Sequence, residues 1–204
     1  MPDAEFALSL GVNALGFIFY RQSPRYISPF KASKIVADLE RGISFVGVFA
    51  DESVNFIDEV SEKVGLNFVQ LHGSESPEYC SKVKLPVIKA IRIKTTFDVG
   101  SLKNYKVHAF LFDTYKNDQL GGTGDVFNWQ IISDLNLDTP IILSGGLCVE
   151  NVQEAINVVA PSAVDVNSGI ESCPGKKNTG KMKLLVKTLS NLKHNTNPFA
   201  LTIR

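Results

Sequence analysis

The chain has 204 residues, of which 44% are hydrophobic, and its 21 Lys and Arg balance its 21 Asp and Glu, so the formal net charge is +0. That length suits one well-buried core and is short for two domains. The charge balance gives no electrostatic basis for binding nucleic acid or a membrane surface, so we expect neither as a partner and any bound anion to be held by a local site.

Short apolar runs alternate along the chain with longer amphipathic segments. Near-continuous hydrophobic runs are typical of parallel strands that are covered by helices on both faces. Seven runs are predicted as strands: Ala14–Phe19, Phe45–Phe49, Phe68–Leu71, Val87–Ile91, Ala109–Phe112, Pro140–Leu143 and Ala163–Val166.

The segments between these runs carry helix signals. Ser53 starts an amphipathic stretch that stops at Gly65, and Asn151–Val159 repeats the same spacing of apolar residues. Lys181–Leu192 is predicted as the last helix, and the tail from His194 onward is expected to be irregular.

No linker rich in Pro, Ser or Gly divides the chain, so we expect residues 1–204 to form a single domain. Alternating strands and helices occur in open doubly wound sheets and in closed barrels, and periodicity alone does not separate the two. A helix-like segment, Asp3–Leu10, precedes the first predicted strand. Seven strands are one short of an eight-stranded barrel, so a barrel would lack its first strand, ahead of residue 1, and would be N-terminally incomplete.

Glycine-bearing loops follow the last two predicted strands. Ser144, Gly145 and Gly146 stand after the sixth strand, and Ser168 and Gly169 stand after the seventh. Glycine lets backbone N–H groups approach a phosphate closely, and the start of a following helix favours negative charge. The glycines could simply make tight turns, but two such loops in succession favour a phosphate site, which in (β/α)8 enzymes is usual after the last two strands.

Asp113 ends a predicted buried strand, where a partly desolvated carboxyl group is suited to act as a general acid. The same position also suits a carboxylate that only caps nearby backbone amides. Gly121–Gly124 follows closely and is interpreted as a mobile lid.

Arg25, after a turn proline, could bind a carboxylate through two hydrogen bonds. Lys176 and Lys177 are expected to be a solvated pair near the phosphate.

These segments, in this order, resemble the phosphoribosylanthranilate isomerase family from residue 11 to about residue 190. The combination is far more specific than any one motif. The matching stretches are 14–20, 23–27, 46–49, 69–73, 87–92, 112–114, 121–124 with Trp129, 143–146, 151–152, 165–171 and 174–177.

The resemblance implies a (β/α)8 TIM barrel that catalyses an Amadori rearrangement in tryptophan biosynthesis, without metal or organic cofactor. It implies that Asp113 is the general acid and that Arg25 faces the anthranilate moiety. The remaining substrate-binding residues that it implies are Gln70, His72, Gly122, Gly145, Gly146, Ser168 and Gly169. Its small-molecule substrate is phosphoribosylanthranilate, and a monomer or homodimer is usual.

The family's general base is a cysteine at the end of the first strand, in a Lys-Ile-Cys-Gly type of motif that this chain does not contain. Cys80, Cys148 and Cys173 are all interpreted as ordinary side chains, and their small, scattered set points to the reducing cytoplasm. The missing strand is expected to leave Ala14–Phe19 and Ala163–Val166 with unpaired edges across an open seam.

Two alternatives remain open beside the isomerase. A non-catalytic barrel that lacks the base would bind a sugar phosphate without turnover. Another sugar-phosphate barrel, an epimerase or a synthase, would need either several metal-binding strand-end histidines or paired lysines and glutamates. His72 is the sole strand-end histidine, and Lys89 has no matching glutamate at another strand end in the predicted elements.

Overall fold

Strands and helices alternate along the residues that the computed structural model describes, which are 2–39, 42–93, 99–113, 129–192 and 200–203. The helices are α1 (Pro2–Ser9), α2 (Pro29–Asp38), α3 (Val54–Val64), α4 (Pro77–Cys80), α5 (Gln130–Ser133), α6 (Val152–Val159) and α7 (Thr179–Leu192), with 3-10 turns at Val99–Asn104 and Ser168–Ile170. The strands are β1 (Ala14–Ile18), β2 (Ser44–Phe49), β3 (Phe68–Leu71), β4 (Val87–Arg92), β5 (Ala109–Asp113), β6 (Ile141–Ser144), β7 (Ala163–Val166), β8 (Glu171–Cys173), β9 (Lys176–Lys177) and β10 (Ala200–Ile203).

Local sequence sets the ends of several helices. The side chains of Ser28, Ser53 and Ser76 accept hydrogen bonds from the first-turn amides of α2, α3 and α4. Gly65 ends α3 in the left-handed conformation, at φ 78°, which a residue with a Cβ adopts only at a cost. The helix predicted to start at Ser53 and stop at Gly65 is therefore confirmed at both ends.

Eight strands form one closed parallel barrel, in the order β1-β10-β7-β6-β5-β4-β3-β2. The seven predicted strands all lie in it, which confirms the (β/α)8 barrel. β8 and β9 form a separate antiparallel hairpin between β7 and α7.

The eighth position of the barrel is taken by the C-terminal segment. β10 pairs in parallel with β1, where Thr202 faces Ala14, and with β7, where Thr202 faces Asp165. The expectation of an irregular tail is therefore wrong for residues 200–203, and so is the expectation of an open seam with unpaired edges. Sequence pattern missed this strand because its position is set by the open edges of β1 and β7, which offer hydrogen-bond partners on both sides and leave no signal in the local sequence.

The buried apolar residues fall into two layers on opposite faces of the strands. A small cluster lines the barrel interior and comprises Ala14, Val46, Ile88, Ala90, Ala109 and Leu111. The larger cluster, which includes Phe17, Phe49, Phe110 and Val164, packs between the strands and the helices. Because successive side chains point to opposite faces, membership of these clusters assigns the inward positions of each strand.

Candidate active site

The inward positions turn from apolar to polar at the carboxyl ends of the strands. Ala109 and Leu111 lie on the inner face of β5, so Asp113, two residues further, points to the same interior. The same alternation places further inward side chains at this end of the barrel: Gln70, His72, Arg92, Ser144, Asp165 and Asn167. Active sites of (β/α)8 enzymes lie at this face, so the register of the strands assembles a polar mouth.

Asp113 is hydrogen-bonded in a chain of three inward side chains. His72 Nε2 lies 3.0 Å from Asp113 Oδ2, and Gln70 Nε2 lies 3.1 Å from His72 Nδ1. Because an amide nitrogen can only donate, Nδ1 accepts and Nε2 carries the ring proton toward Asp113. The Asp113 side chain is 18% exposed, which leaves it accessible at the mouth. Gln70 was expected to bind the substrate, but it is buried and does not line a described cavity. Its side chain contacts His72.

The two glycine loops and Asp113 line one cavity of about 270 Å³. Gly145 and Gly146 both have positive φ, 82° and 64°, so the loop after β6 needs glycine for its path. Asn151 stabilises the loop, because its side chain accepts from Cys148 N and donates to Gly146 O. Ser168 lines the same cavity from the loop after β7.

Gly169 brings the two glycine loops into contact. A Cβ built on Gly169 would collide with the carbonyl oxygen of Leu147, so the close approach of the loops requires the absence of a side chain. Gly169 was predicted from the sequence to contact the phosphate. In the structure it does not line the cavity, and the absence of a side chain at this position lets the two loops pack against each other.

Gly169→Ala is expected to force the two loops apart, because the obstructing atom belongs to the backbone and cannot rotate away. We expect a loss of roughly 1–3 kcal/mol in the free energy of unfolding, together with weaker binding of inorganic phosphate. Gly11→Ala is the matched control: Gly11 lies outside both glycine loops, a Cβ there meets nothing within 4 Å, and its positive φ costs about 1–2 kcal/mol. Equal phosphate affinity in Gly169→Ala and in the parent protein would contradict this packing role.

Arg25 lies between the phosphate-side cavity and a larger one of about 550 Å³, and it lines both. The Arg25 side chain is 23% exposed and forms an ion pair of 2.6 Å with the buried carboxylate of Glu171. The Glu171 hydrogen bond raises the pKa of Arg25, so the guanidinium stays charged. His72 also lines the larger cavity, so the structure brings His72, Asp113 and Arg25 together around one mouth.

Lys177 is not the solvated residue expected from the sequence. Its ammonium donates to Asn167 O, at 3.1 Å, to Asn167 Oδ1, at 2.8 Å, and to Glu171 Oε1, at 3.3 Å. Burial lowers the pKa of Lys177 and the Glu171 charge offsets part of that shift. The expectation failed because the β8–β9 hairpin turns Lys177 inward and leaves Lys176 exposed.

Lys89 forms a buried ion pair on the outer face of β4. Its Nζ lies 2.7 Å from Glu75 Oε2, and the two side chains are 3% and 2% exposed. Lys89 also donates to two backbone carbonyls, while Glu75 accepts from the amides of Asp51 and Gly73. The sequence showed no glutamate partner for Lys89, because Glu75 lies in a loop beyond the strand end. With its donors occupied, Lys89 stabilises the loop after β3.

None of the three cysteines lines either of these cavities as the structure describes them. Cys80 is buried in α4, and burial raises the pKa of its thiol to about 11. Burial also raises the pKa of Cys148, and Cys173 is exposed in the hairpin. A thiol with a raised pKa is a poor base at neutral pH.

Gly122 and the lid predicted at Gly121–Gly124 lie outside the described residues. Within residues 2–39, 42–93, 99–113, 129–192 and 200–203, no group of three His, Cys, Asp or Glu side chains could hold a metal ion. No helix in that part of the chain is long and apolar enough to cross a membrane.

The fold and site define a (β/α)8-barrel enzyme whose cavity joins a carboxyl group to two glycine loops. The family model for N-(5'phosphoribosyl)anthranilate (PRA) isomerase matches residues 2–188. The chain belongs to the N-(5'-phosphoribosyl)anthranilate isomerase family, the isomerases of tryptophan biosynthesis.

Individual relatives agree with the family match. An N-(5'-phosphoribosyl)anthranilate isomerase of Geobacter sp. (strain M21) is 41% identical over 186 residues, which cover 91% of this chain and 91% of the relative. The crystal structure of phosphoribosyl anthranilate isomerase from Thermotoga maritima superposes with a TM-score of 0.85 at 41% identity and 94% coverage of both chains. A second structure, of the isomerase in complex with reduced 1-(o-carboxyphenylamino)-1-deoxyribulose 5-phosphate, has a TM-score of 0.82, 39% identity and the same 94% coverage of both chains.

Proposed function

We propose that this protein converts N-(5'-phosphoribosyl)anthranilate to 1-(2-carboxyphenylamino)-1-deoxyribulose 5-phosphate, with Asp113 as the general acid. The observation that carries the proposal is the shared cavity, in which the Asp113 carboxyl and both glycine loops face the same space beside Arg25. A sugar phosphate held by the loops has its reacting carbons within reach of Asp113.

The acid step follows from the geometry of Asp113. Its Oδ2 accepts a hydrogen bond from His72, so the acidic proton belongs on Oδ1. Transfer of that proton to the furanose ring oxygen breaks the bond between C1 and the oxygen, and the anilino nitrogen supplies the electron pair that forms the imine. We propose that His72 orients Asp113 and that Gln70 fixes the ring of His72 through Nδ1.

Proton removal from C2 then gives an enol-amine, which becomes the ketone as C1 takes up a proton and the C2 hydroxyl releases one. The resemblance assigns this step to a cysteine, but none of the three cysteines of this chain lines the described cavities. We assign the proton acceptor to none of the described residues. A positioned base contributes about 10²–10⁴-fold to the rate.

The phosphate is assigned to the loops after β6 and β7. Gly145, Gly146 and Ser168 line the smaller cavity and offer backbone amides and a hydroxyl, the groups that bind phosphate without a fixed positive charge. This assignment agrees with the formal net charge of +0, because the anion is held locally. We further propose that the enzyme needs no cofactor and acts in the cytoplasm as a monomer or homodimer.

The anthranilate carboxylate is assigned to Arg25. Glu171 takes Nε and Nη2 of the guanidinium, and Nη1 has no hydrogen-bond partner among the described residues. Arg25 lines the larger cavity, which also has room for the aromatic ring. A guanidinium is suited to a carboxylate because its planar N–H groups match the two oxygens.

Arg25→Ala is expected to weaken binding at the anthranilate end of the ligand. Loss of a charged hydrogen bond of about 1.5–3 kcal/mol lowers affinity for the reduced product analogue by roughly 10- to 100-fold. Affinity for ribose 5-phosphate, which lacks the anthranilate end, is expected to stay close to that of the parent protein. Arg21→Ala, in the same loop at an exposed position, is the control. An equal loss for both ligands would contradict the assignment of Arg25.

Equilibrium titration with the reduced product analogue tests the proposed site. Fluorescence of the aminobenzoate ring reports binding, and inorganic phosphate is added as a competitor. We expect saturable binding that phosphate displaces. A parent protein that binds neither the analogue nor phosphate would overturn the proposal.

A second candidate is a barrel that binds the sugar phosphate without turning it over. The observation that favours it is the position of the three cysteines, none of which lines the described cavities. It differs from the first proposal in one outcome: the analogue binds with phosphate competition, and phosphoribosylanthranilate is nevertheless left unchanged.

A further inference from the structure

Glu171 is the buried acid that connects Arg25 to the phosphate side of the barrel. Glu171 is the first residue of the hairpin after β7, and its side chain is 4% exposed. Arg25 Nε donates to both Glu171 oxygens at 3.0 Å, and Arg25 Nη2 donates to Oε2 at 2.6 Å. The two residues lie 146 positions apart in the chain, so this contact joins the loop after β1 to the segment after β7.

The same carboxylate is held in place from its own side of the barrel. Glu171 Oε1 accepts from Gly175 N at 3.2 Å and from Lys177 Nζ at 3.3 Å. Lys177 also donates to the backbone and side-chain oxygens of Asn167, the residue before Ser168 in the proposed phosphate loop. Glu171 is therefore fixed by the hairpin and presents its remaining acceptor capacity to Arg25.

The charge on Glu171 is maintained despite its burial. Burial raises the pKa of the carboxyl, but the hydrogen bond from Arg25 and the charge of Lys177 outweigh that effect, so its pKa lies below the ordinary value. A buried carboxylate that is ionised and hydrogen-bonded on several sides is a rigid partner for a guanidinium.

We propose that Glu171 is a positioning residue for substrate binding: it holds the Arg25 guanidinium with its Nη1 edge toward the larger cavity, where the anthranilate carboxylate would lie. The inference rests on the proposed function, because it assigns that carboxylate to Arg25. It differs from a purely structural ion pair in one consequence: Glu171 contributes to binding only through Arg25. Without Glu171, the Arg25 guanidinium would sample many orientations. Binding of the substrate would then have to fix one of them, which lowers the affinity.

Glu171→Gln removes the charge and keeps the shape. We expect affinity for the reduced product analogue to fall roughly tenfold, because misorientation of a binding group commonly costs one to two orders of magnitude. Ribose 5-phosphate affinity is expected to change less than about twofold, since that ligand lacks the carboxylate that Arg25 would bind. Lys181→Ala is the control, because Lys181 donates to the backbone oxygen of Glu171 and not to the carboxylate.

A double-mutant cycle with Arg25→Ala separates positioning from general structural damage. If Glu171 acts through Arg25, Glu171→Gln causes no further loss of analogue affinity in the Arg25→Ala background. An undiminished tenfold loss in that background would overturn the proposal, and so would an unchanged ratio of analogue to ribose 5-phosphate affinity in the single variant. Failure of the proposed function is distinct, because the parent protein itself would then show no preference for the analogue.

Discussion

Asp113→Asn is expected to lower the rate of isomerisation by about 10²–10⁴-fold, equivalent to roughly 3–6 kcal/mol of activation free energy. The amide has the shape of the carboxyl and can accept the His72 hydrogen bond at the oxygen that replaces Oδ2. It cannot protonate the ring oxygen. Affinity for the reduced product analogue is expected to remain close to that of the parent protein, so the effect falls on kcat and little on binding.

The matched control for this variant is Asp58→Asn, the same chemical change at a carboxylate of α3 that pairs with Lys84 away from the cavities. It is expected to leave both turnover and analogue affinity unchanged. Undiminished turnover in Asp113→Asn would contradict the acid assignment, whereas joint loss of turnover and analogue binding would point to a damaged cavity.

Deletion of residues 200–204 is expected to destabilise the protein strongly, because it removes the strand that pairs with both β1 and β7. Each lost backbone hydrogen bond costs about 0.5–1.5 kcal/mol, and several are lost together, so the free energy of unfolding should fall by about 4 kcal/mol or more. Urea denaturation measures the change, and binding of a hydrophobic dye reports exposure of the barrel seam. Deletion of residue 204 alone is the control.

The deletion also affects the site. β7 carries Asp165 and leads into Asn167 and Ser168, which line the proposed phosphate cavity, and β1 leads into the Arg25 loop. Opening the seam between β1 and β7 is therefore expected to weaken both ribose 5-phosphate and analogue binding. A deletion variant with the parent's unfolding midpoint would show that β10 does not close the barrel in solution.

Seven of the barrel strands could be predicted from sequence because each is a short run of apolar residues, interrupted by at most one polar residue or glycine, between polar or glycine-bearing segments. Phe68–Leu71 and Ala163–Val166 were predicted with the boundaries that the structure shows. β10 could not be predicted, because its position depends on the open edges of two strands that are distant in the chain. Local pattern contains no information about such edges.

Part of the candidate site was also visible in the sequence. Asp113 and the two glycine loops stand directly after buried strands, and parallel strands bring their carboxyl ends together at one face. The partners of Arg25 and Lys177 were not visible. Glu171 is separated from Arg25 by most of the chain, and the inward turn of Lys177 depends on a hairpin whose pairing the sequence does not reveal. Long-range ion pairs of this kind need the tertiary structure.

The most direct test of the proposed function is the turnover of phosphoribosylanthranilate by the purified protein, followed through the fluorescence of its aminobenzoate ring. We expect conversion to the deoxyribulose phosphate that depends on enzyme concentration, is inhibited by the reduced product analogue and is lost in Asp113→Asn. Tight binding of the analogue without any conversion of phosphoribosylanthranilate would contradict the isomerase assignment and establish the barrel as a sugar-phosphate-binding protein.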